Sequence, residues 1–557
     1  MLKVEHLLKT KKVSKDLDSA KFLLGNKNGG YLYLGTKVES RHQGFFFNDK
    51  FLMYKSIEDL RIDGKIIKAV NKFSSVIFER DNKAIEEYTF PFFYNSFIYE
   101  IKKYKGNLVV NLDCREFLDN DEWGRFYNIQ IDKHQILITY EKQNDYWVYV
   151  AITGKNLKTE KIKEWFTREY SLDKSNNDEN LRKIYSALRL QIDNDTKLVF
   201  TSGLNKEMVL KESQYVFRNI NKLKRKQQNA MIVKDVVKNK ERNIAYNAAL
   251  NSLNMLLSTV DNNLGILSGF PNRYYFKSRD ELISVKALGK RKEVSNIYER
   301  LLKQIKPDGY LHCQSPTQNT CAECLELFYK RFNKKTKINE ALDSLINFRS
   351  HDGLATCNPH ESWMDSLKRS GALIELQALR LNFYRVAGKR ELEQELKQKV
   401  RELFLFKNYL KDSPQDETIR PNIFLAHYYY PDLVDDWLPC IKKVLPKLWC
   451  KWGGVSTLDK NNPSFHKEHT GIDSKSYHSG DSWYYLNNIA AMVMLNVSKK
   501  EFKDKINAII DSSCHDILWS GILGHHSSQS SAGKQSSSGT LCSSASASTF
   551  IELINSL

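Results

Sequence analysis

The sequence predicts two fused folds: an N-terminal antiparallel β-sandwich and a C-terminal all-α (α/α)6 toroid. Three observations carry this. Aromatic and β-branched runs at hairpin spacing fill the first 200 residues, and after residue 240 the apolar period becomes helical. In the helical half, long chemically varied loops alternate with short plain ones. The expected organisation is a sandwich over 1–204, a helical linker over 205–240 and the toroid over 241–557.

The strand runs are 31–36, 44–54, 75–80, 107–113, 135–141, 146–152 and 197–202. Turns of Asn, Asp, Gly and Lys separate them, and no helix of crossover length lies between most of them, which favours antiparallel pairing over an α/β fold. From 205 to 240 the composition shifts to Lys, Arg, Asn and Gln in a helical pattern, with one dense basic run at Lys222-Leu-Lys-Arg-Lys226.

Beyond 240 about twelve segments carry apolar residues at i, i+3, i+4 and i+7, the tally resting on this periodicity. They are 241–258, 279–289, 293–306, 319–334, 337–349, 370–387, 390–409, 422–429, 432–448, 482–497, 500–517 and 546–556. Twelve helices make six αα-hairpins, enough to close a ring. The even-to-odd connections are mostly short. The odd-to-even ones, 267–280, 306–318, 349–370, 411–422, 451–483 and 520–546, hold the Gly, Pro, aromatic and polar clusters. In an alternating toroid all six lie at one end, so their side chains converge on one funnel.

That funnel would collect Arg279, Asp280, Tyr310, His312, Gln314, Glu361, Trp363, Asp365, Arg420, Asn422, His478 and Trp483. Carboxylates and Arg bind hydroxyls in pairs, and Trp and Tyr stack on sugar rings. The mixture suits a neutral polyhydroxylated substrate. Glu361 and Asp365 flank Trp363, an arrangement expected to desolvate an acid and raise its pKa; two acids at a helix start is the plainer reading. Arg279 and Asp280 also fit a local ion pair, and His478 a turn residue satisfied by backbone.

Composition removes several function classes. The 41% apolar and 27% charged fractions fit a globular chain, and no apolar run of about 18 residues predicts a membrane span. The start, MLKVEHLLKTKKVSKD, lacks the apolar core of a signal peptide, and nine cysteines do not form a disulfide framework, so a reducing cytoplasm is expected. Cys321 and Cys324 make one CxxC with no second pair at zinc spacing, and neither a metal nor a cofactor is expected. The net charge of +19 invites a nucleic-acid partner, but the basic residues are spread along the chain without a binding motif. The basic run is read as a solvated face, and neither nucleic acid nor membrane is expected as a partner.

The motifs in order are Phe270-Pro271, Ser278-Arg279-Asp280, Glu361-Ser-Trp-Met-Asp365, Gly371-Ala-Leu-Ile-Glu375-Leu-Gln377, Arg420-Pro-Asn422 and Tyr477-His-Ser-Gly480-Asp-Ser-Trp483. Together they resemble the glucosidase domain of glycogen debranching enzymes, the amylo-α-1,6-glucosidase family. Asn28-Gly-Gly30 and Ser40-Arg41-His-Gln-Gly44 are similar to its N-terminal domain. The resemblance implies an α-glucan substrate, glycogen or limit dextrin, hydrolysed at α-1,6 branch points with inversion. It implies Asp365 as general acid, and a terminal-glucose subsite of Arg279, Asp280, Glu361, Trp363, His478 and Trp483.

Inversion also needs a carboxylate base, which the family carries as a glutamate on the loop before the last helix, followed by a QAWS-like stretch. Here no acid lies between Asp516 and Glu552, the later stretch reads Cys542-Ser-Ser-Ala-Ser546, and Gln529 takes the expected base position. A neutral amide cannot accept water's proton, so slow turnover is expected. Three readings compete: a Glu-to-Gln replacement that holds ligand, another acid such as Glu468 or Asp473, or a relative that binds glucan without hydrolysing it. An α-1,4-glucosidase of the glucoamylase kind, a trehalase and a non-catalytic glycogen-binding protein are the alternative functions.

Overall fold

The computed structural model describes residues 1–312 and 321–557. It divides into two compact units, Met1–Asn263 with Ile522–Gly524, and Leu264–Gly521 with His525–Leu557.

The first unit is a β-sandwich of a ten-stranded and a seven-stranded sheet. Phe45 of one sheet meets Phe97 of the other edge-on at 5.1 Å, and Phe22 meets Phe78 at 6.0 Å. The pairings are antiparallel except that Leu2–Leu8 runs parallel to Ile66–Asn71. The seven sequence-read runs fall on strands, with 44–54 covering two, Gly44–Asp49 and Leu52–Arg61, paired as a hairpin. Nine further strands of the sandwich lie outside those runs, among them the charged, largely exposed Lys11–Leu17 and Thr159–Glu169 and the buried Ser96–Lys102.

The stretch 205–240 lies against this sandwich. Asn205 caps the helix Lys206–Arg218 by accepting the Met208 N–H at 3.1 Å. A second helix, Ile220–Asn229, follows. Val216, Ile220 and Leu223 pack with Ile98 and Val199 of the ten-stranded sheet. Residues 232–236 then run along the helix Lys240–Leu256, where Asn243, Asn247 and Asn251 accept backbone N–H groups of Val236, Lys234 and Ile232. Four-residue spacing puts the three amides on one face. This helix, read as the first of the toroid, groups with the first unit.

In the second unit six helices, Ser278–Leu288, Cys324–Phe332, Ile374–Ala387, Asn422–Tyr429, Tyr484–Ser498 and Ser544–Asn555, pack each on the next, and the last on the first. They form the closed inner ring of an (α/α)6 toroid. Lys292–Leu302, Ile338–Phe348, Arg390–Phe404, Leu438–Leu448 and Lys503–Trp519 alternate with them along the chain. The ring helices are buried almost all round, and the intervening helices are amphipathic. The start of the expected helix 319–334, and Gln314, lie outside the described residues.

Three of the loops entering the ring begin with two-residue hairpins, at Ser350–His351/Leu354–Ala355, Leu405–Phe406/Tyr409–Leu410 and Trp449–Cys450/Gly454–Val455. The first turns through Asp352 and Gly353, both at positive φ, where glycine is unstrained.

Candidate active site

The loops entering the ring meet as the alternation requires. Gly269 and Phe270 of the first pair with Ser543 and Cys542 of the last, and Ser482 and Trp483 pair with Ser530 and Gln529. Between them lies a narrow cavity of about 20 Å³. Its lining mixes charged and aromatic side chains, Arg273, Lys277, Arg279, Asp280, Trp363, Asp365, Trp483 and Tyr485, with small ones, Ser268, Ser528, Thr540, Ser543, Ala545 and Ser546, whose hydroxyls offer donors and acceptors.

Trp363 is anchored in the cavity wall through both its backbone and its indole. Its backbone N–H donates to Glu323 Oε1 and its indole N–H to Asn422 Oδ1, both at 2.8 Å. Asn422 donates to Asp412 at 2.7 Å, and Arg369 donates to Asp412 and to Glu375 through both of its terminal nitrogens and Nε. A buried chain of polar groups therefore runs from the second helix of the Glu361–Asp365 segment's own hairpin to the indole. Arg369 stays charged: burial opposes its charge, but Asp412 and Glu375 outweigh that and raise its pKa.

Arg279 donates to Glu323 Oε2 at 3.1 Å, lies 3.6 Å from Asp280 and sits 4.9 Å over the Tyr485 ring. The local ion pair with Asp280 exists, and both residues also line the cavity.

Asp365 stands with its side chain 46% exposed, and Lys277 reaches its Oδ2 at 3.4 Å. The expected rise in its pKa is not found. Burial pushes the carboxyl up, but Lys277 first, with Arg273 behind it, outweighs that and holds it below its ordinary value. Lys277, one residue before the Ser-Arg-Asp motif, Arg273, Tyr485 and the small residues of the lining are cavity residues that the sequence does not single out.

His478 stacks on Trp483 at 5.2 Å and meets Trp363 edge-on at 5.3 Å. Its Nδ1 shares a 2.7 Å hydrogen bond with Ser366 Oγ, and burial pushes its pKa down to about 3, so the ring is neutral. Arg420 donates to the His478 carbonyl at 2.9 Å, bracing that loop. The Trp483 indole donates to the Tyr477 carbonyl at 2.7 Å.

Of the sequence-read residues, Arg279, Asp280, Trp363, Asp365 and Trp483 line the cavity, whereas Tyr310, His312, Glu361, Arg420, Asn422, His478 and Gln529 do not. Tyr310 donates to both oxygens of Glu361 at 2.8 Å, and the Asn358 N–H donates to Glu361 Oε2 at 2.8 Å. This pair joins two entering loops and leaves the cavity to others. His312 pairs with Asp308 at 2.9 Å.

Gln529 is buried, and its amide donates to Asp481 Oδ2 at 3.3 Å. Asp481 also pairs with His469 Nδ1 at 2.7 Å and accepts from Ser476 at 2.9 Å. Adjacent strand residues point to opposite faces, and it is Ser528 that lines the cavity. Glu468 is exposed and accepts from Ser531, while Asp473 is exposed beside Lys475. Among the described residues, Asp280 and Asp365 are the only carboxylates on the cavity wall. Cys321 and Cys324 are buried.

Residues 346–530 match the family model described as amylo-alpha-1,6-glucosidase. A crystal structure of a bacterial glucoamylase complexed with acarbose superposes with a TM-score of 0.61 at 12% identity, covering 99% of this chain and 97% of that one. At that identity the likeness is one of fold, and it spans both the sandwich and the toroid. A glycosidase variant in complex with glucose aligns at a TM-score of 0.42 and 11% identity, over 58% of this chain and all of that one. A search of curated proteins returns no match. Among the described residues no helix is long and apolar enough to cross a membrane.

Proposed function

We propose that this chain acts on α-glucans, taking a terminal glucose unit into the toroid cavity, with Asp365 as proton donor to the departing glycosidic oxygen. The supporting observation is the wall itself: two carboxylates and two arginines set among Trp363, Trp483 and Tyr485, at the meeting of the ring's entering loops. Paired carboxylate and guanidinium groups accept from and donate to vicinal hydroxyls, and the indoles cover the apolar face of the sugar. Arg279 and Asp280, which brace each other, hold the glucose hydroxyls, and Asp365 at the cavity mouth faces the bond to the next sugar. The match over 346–530, which contains Asp365 and Trp483, favours the α-1,6 branch as the bond cleaved.

Inverting hydrolysis needs a second carboxylate about 6.5–9.5 Å away to activate water. Among the described residues the cavity wall carries no carboxylate beyond Asp280 and Asp365, and Gln529 lies off it, turned to Asp481, so water is activated poorly and turnover is slow. The experiment compares glucose release from substrates with α-1,6, α-1,4 and trehalose-type linkages. Release chiefly from the α-1,6 substrate is expected; release chiefly from maltose- or trehalose-type substrates would replace this linkage assignment, and glucan binding without any release would make the chain a binding protein. In the same assay Gln529→Glu is expected to give no gain in rate. It would set a second carboxylate beside buried Asp481, where like charges disfavour ionisation. A clear gain would make position 529 the base position.

A further inference from the structure

The basic run of the sequence does not form an evenly solvated face. The near-continuous helices Lys206–Arg218 and Ile220–Asn229 bend at Asn219, and the bend opens a groove of about 810 Å³. Lys197, Arg218, Lys222, Arg225 and Lys226 line it, over a floor that includes Phe217 and Ile220. Lys224, in the middle of the run, turns the other way and is bound to Glu87 and Glu100.

These cations differ from the rest of the unit in their pairing. Every earlier arginine, from Arg41 to Arg189, has a carboxylate partner. Arg218 and Arg225 have none among the described residues, nor do Lys222 and Lys226, while Lys197 pairs with Glu100 at 3.0 Å. Four unpaired cations facing one concavity repel each other and concentrate positive potential there. The C-terminal end of Lys206–Arg218 and the N-terminal end of Ile220–Asn229 meet at Asn219 on this groove, so their dipoles offset and the positive potential comes from the side chains.

We propose that this groove binds a small ligand bearing several linked phosphates, held by Arg218, Lys222, Arg225 and Lys226. Two guanidinium forks fit pairs of phosphate oxygens, and the two lysines supply mobile point charges. Four cations call for more charge than a single phosphate or carboxylate carries. The groove is also wider than one phosphate and carries an apolar floor, so a nucleoside polyphosphate and an inorganic chain both suit it.

Calorimetric titration of the full chain with sodium tripolyphosphate and with ATP tests this. Saturable binding at one site is expected for both, and tighter binding of ATP would add the floor at Phe217 to the contacts. Arg218→Gln/Arg225→Gln is expected to weaken binding at least about tenfold, from the loss of two charge-assisted contacts. Lys206→Gln/Lys211→Gln, which removes equal charge from the exposed side of the same helix, is expected to leave it unchanged. Should the arginine variant fold poorly, Lys222→Gln/Lys226→Gln replaces it with the same expected loss. No saturable binding of either probe, equal weakening by the control pair, or tighter capture of single-stranded RNA with the same number of phosphates would overturn the proposal.

Discussion

Replacing Asp365 by Asn is expected to lower glucose release from limit dextrin by about 10²–10⁴-fold, the range that a positioned proton donor contributes. Asn is nearly isosteric and keeps the polar contacts of the wall, so glucan affinity should change far less than the rate. The pH dependence separates this role from a merely structural one. Asp365 must carry a proton to donate it, and in the free cavity Lys277, with Arg273 behind it, outweighs the effect of burial and keeps the carboxyl below its ordinary value. The donor form therefore grows as pH falls toward that depressed pKa, and release should be fastest on the acid side and decline toward neutrality. Lys277→Met removes the largest of the opposing charges, so the alkaline side of the profile should move to higher pH. A wild-type rate in Asp365→Asn, or a Lys277→Met profile that does not move, would take Asp365 out of the donor role.

Arg369→Met is expected to be the most destabilising single change in the helical unit, by about 3–5 kcal/mol, the usual result of stripping one partner from a buried charge cluster. The change leaves Glu375 and Asp412, whose side chains are 0% and 2% exposed, without the guanidinium that binds both. The loss should reach the cavity as well. Asp412 accepts from Asn422, and Asn422 accepts the Trp363 indole N–H, so the tryptophan loses its brace. Denaturant unfolding followed by tryptophan fluorescence, together with glucan titration, would show a lower midpoint and weaker binding. An unchanged midpoint would mean that the cluster contributes little net stability.

The toroid could be read in advance because its evidence is repetitive: twelve helical periods and six long loops at alternate junctions state the same topology many times. The sandwich was harder. The edge strands Lys11–Leu17 and Thr159–Glu169 face solvent, and nothing in their composition separates them from a charged loop, while Ser96–Lys102 and Leu181–Ile192, inside their sheets, also fall outside the runs read from the sequence. At the site, Trp363 and Asp365 could be found because a carboxylate beside an aromatic is chemically distinctive. Lys277 could not, since one lysine among many becomes informative only when its ammonium is seen 3.4 Å from Asp365. Glu361 and Tyr310 satisfy the same loop argument as Asp365, yet they spend their polar groups on each other. Spacing can bring a residue to the funnel, but hydrogen bonding among its neighbours decides whether it faces the substrate.

The most direct measurement is a crystal structure of Asp365→Asn soaked with a branched α-glucan oligosaccharide. The account predicts a terminal glucose with its hydroxyls on Arg279 and Asp280, its ring against Trp363 and Trp483, and its glycosidic oxygen within hydrogen-bond reach of residue 365. A sugar bound elsewhere, or a cavity left empty at saturating oligosaccharide, would contradict it.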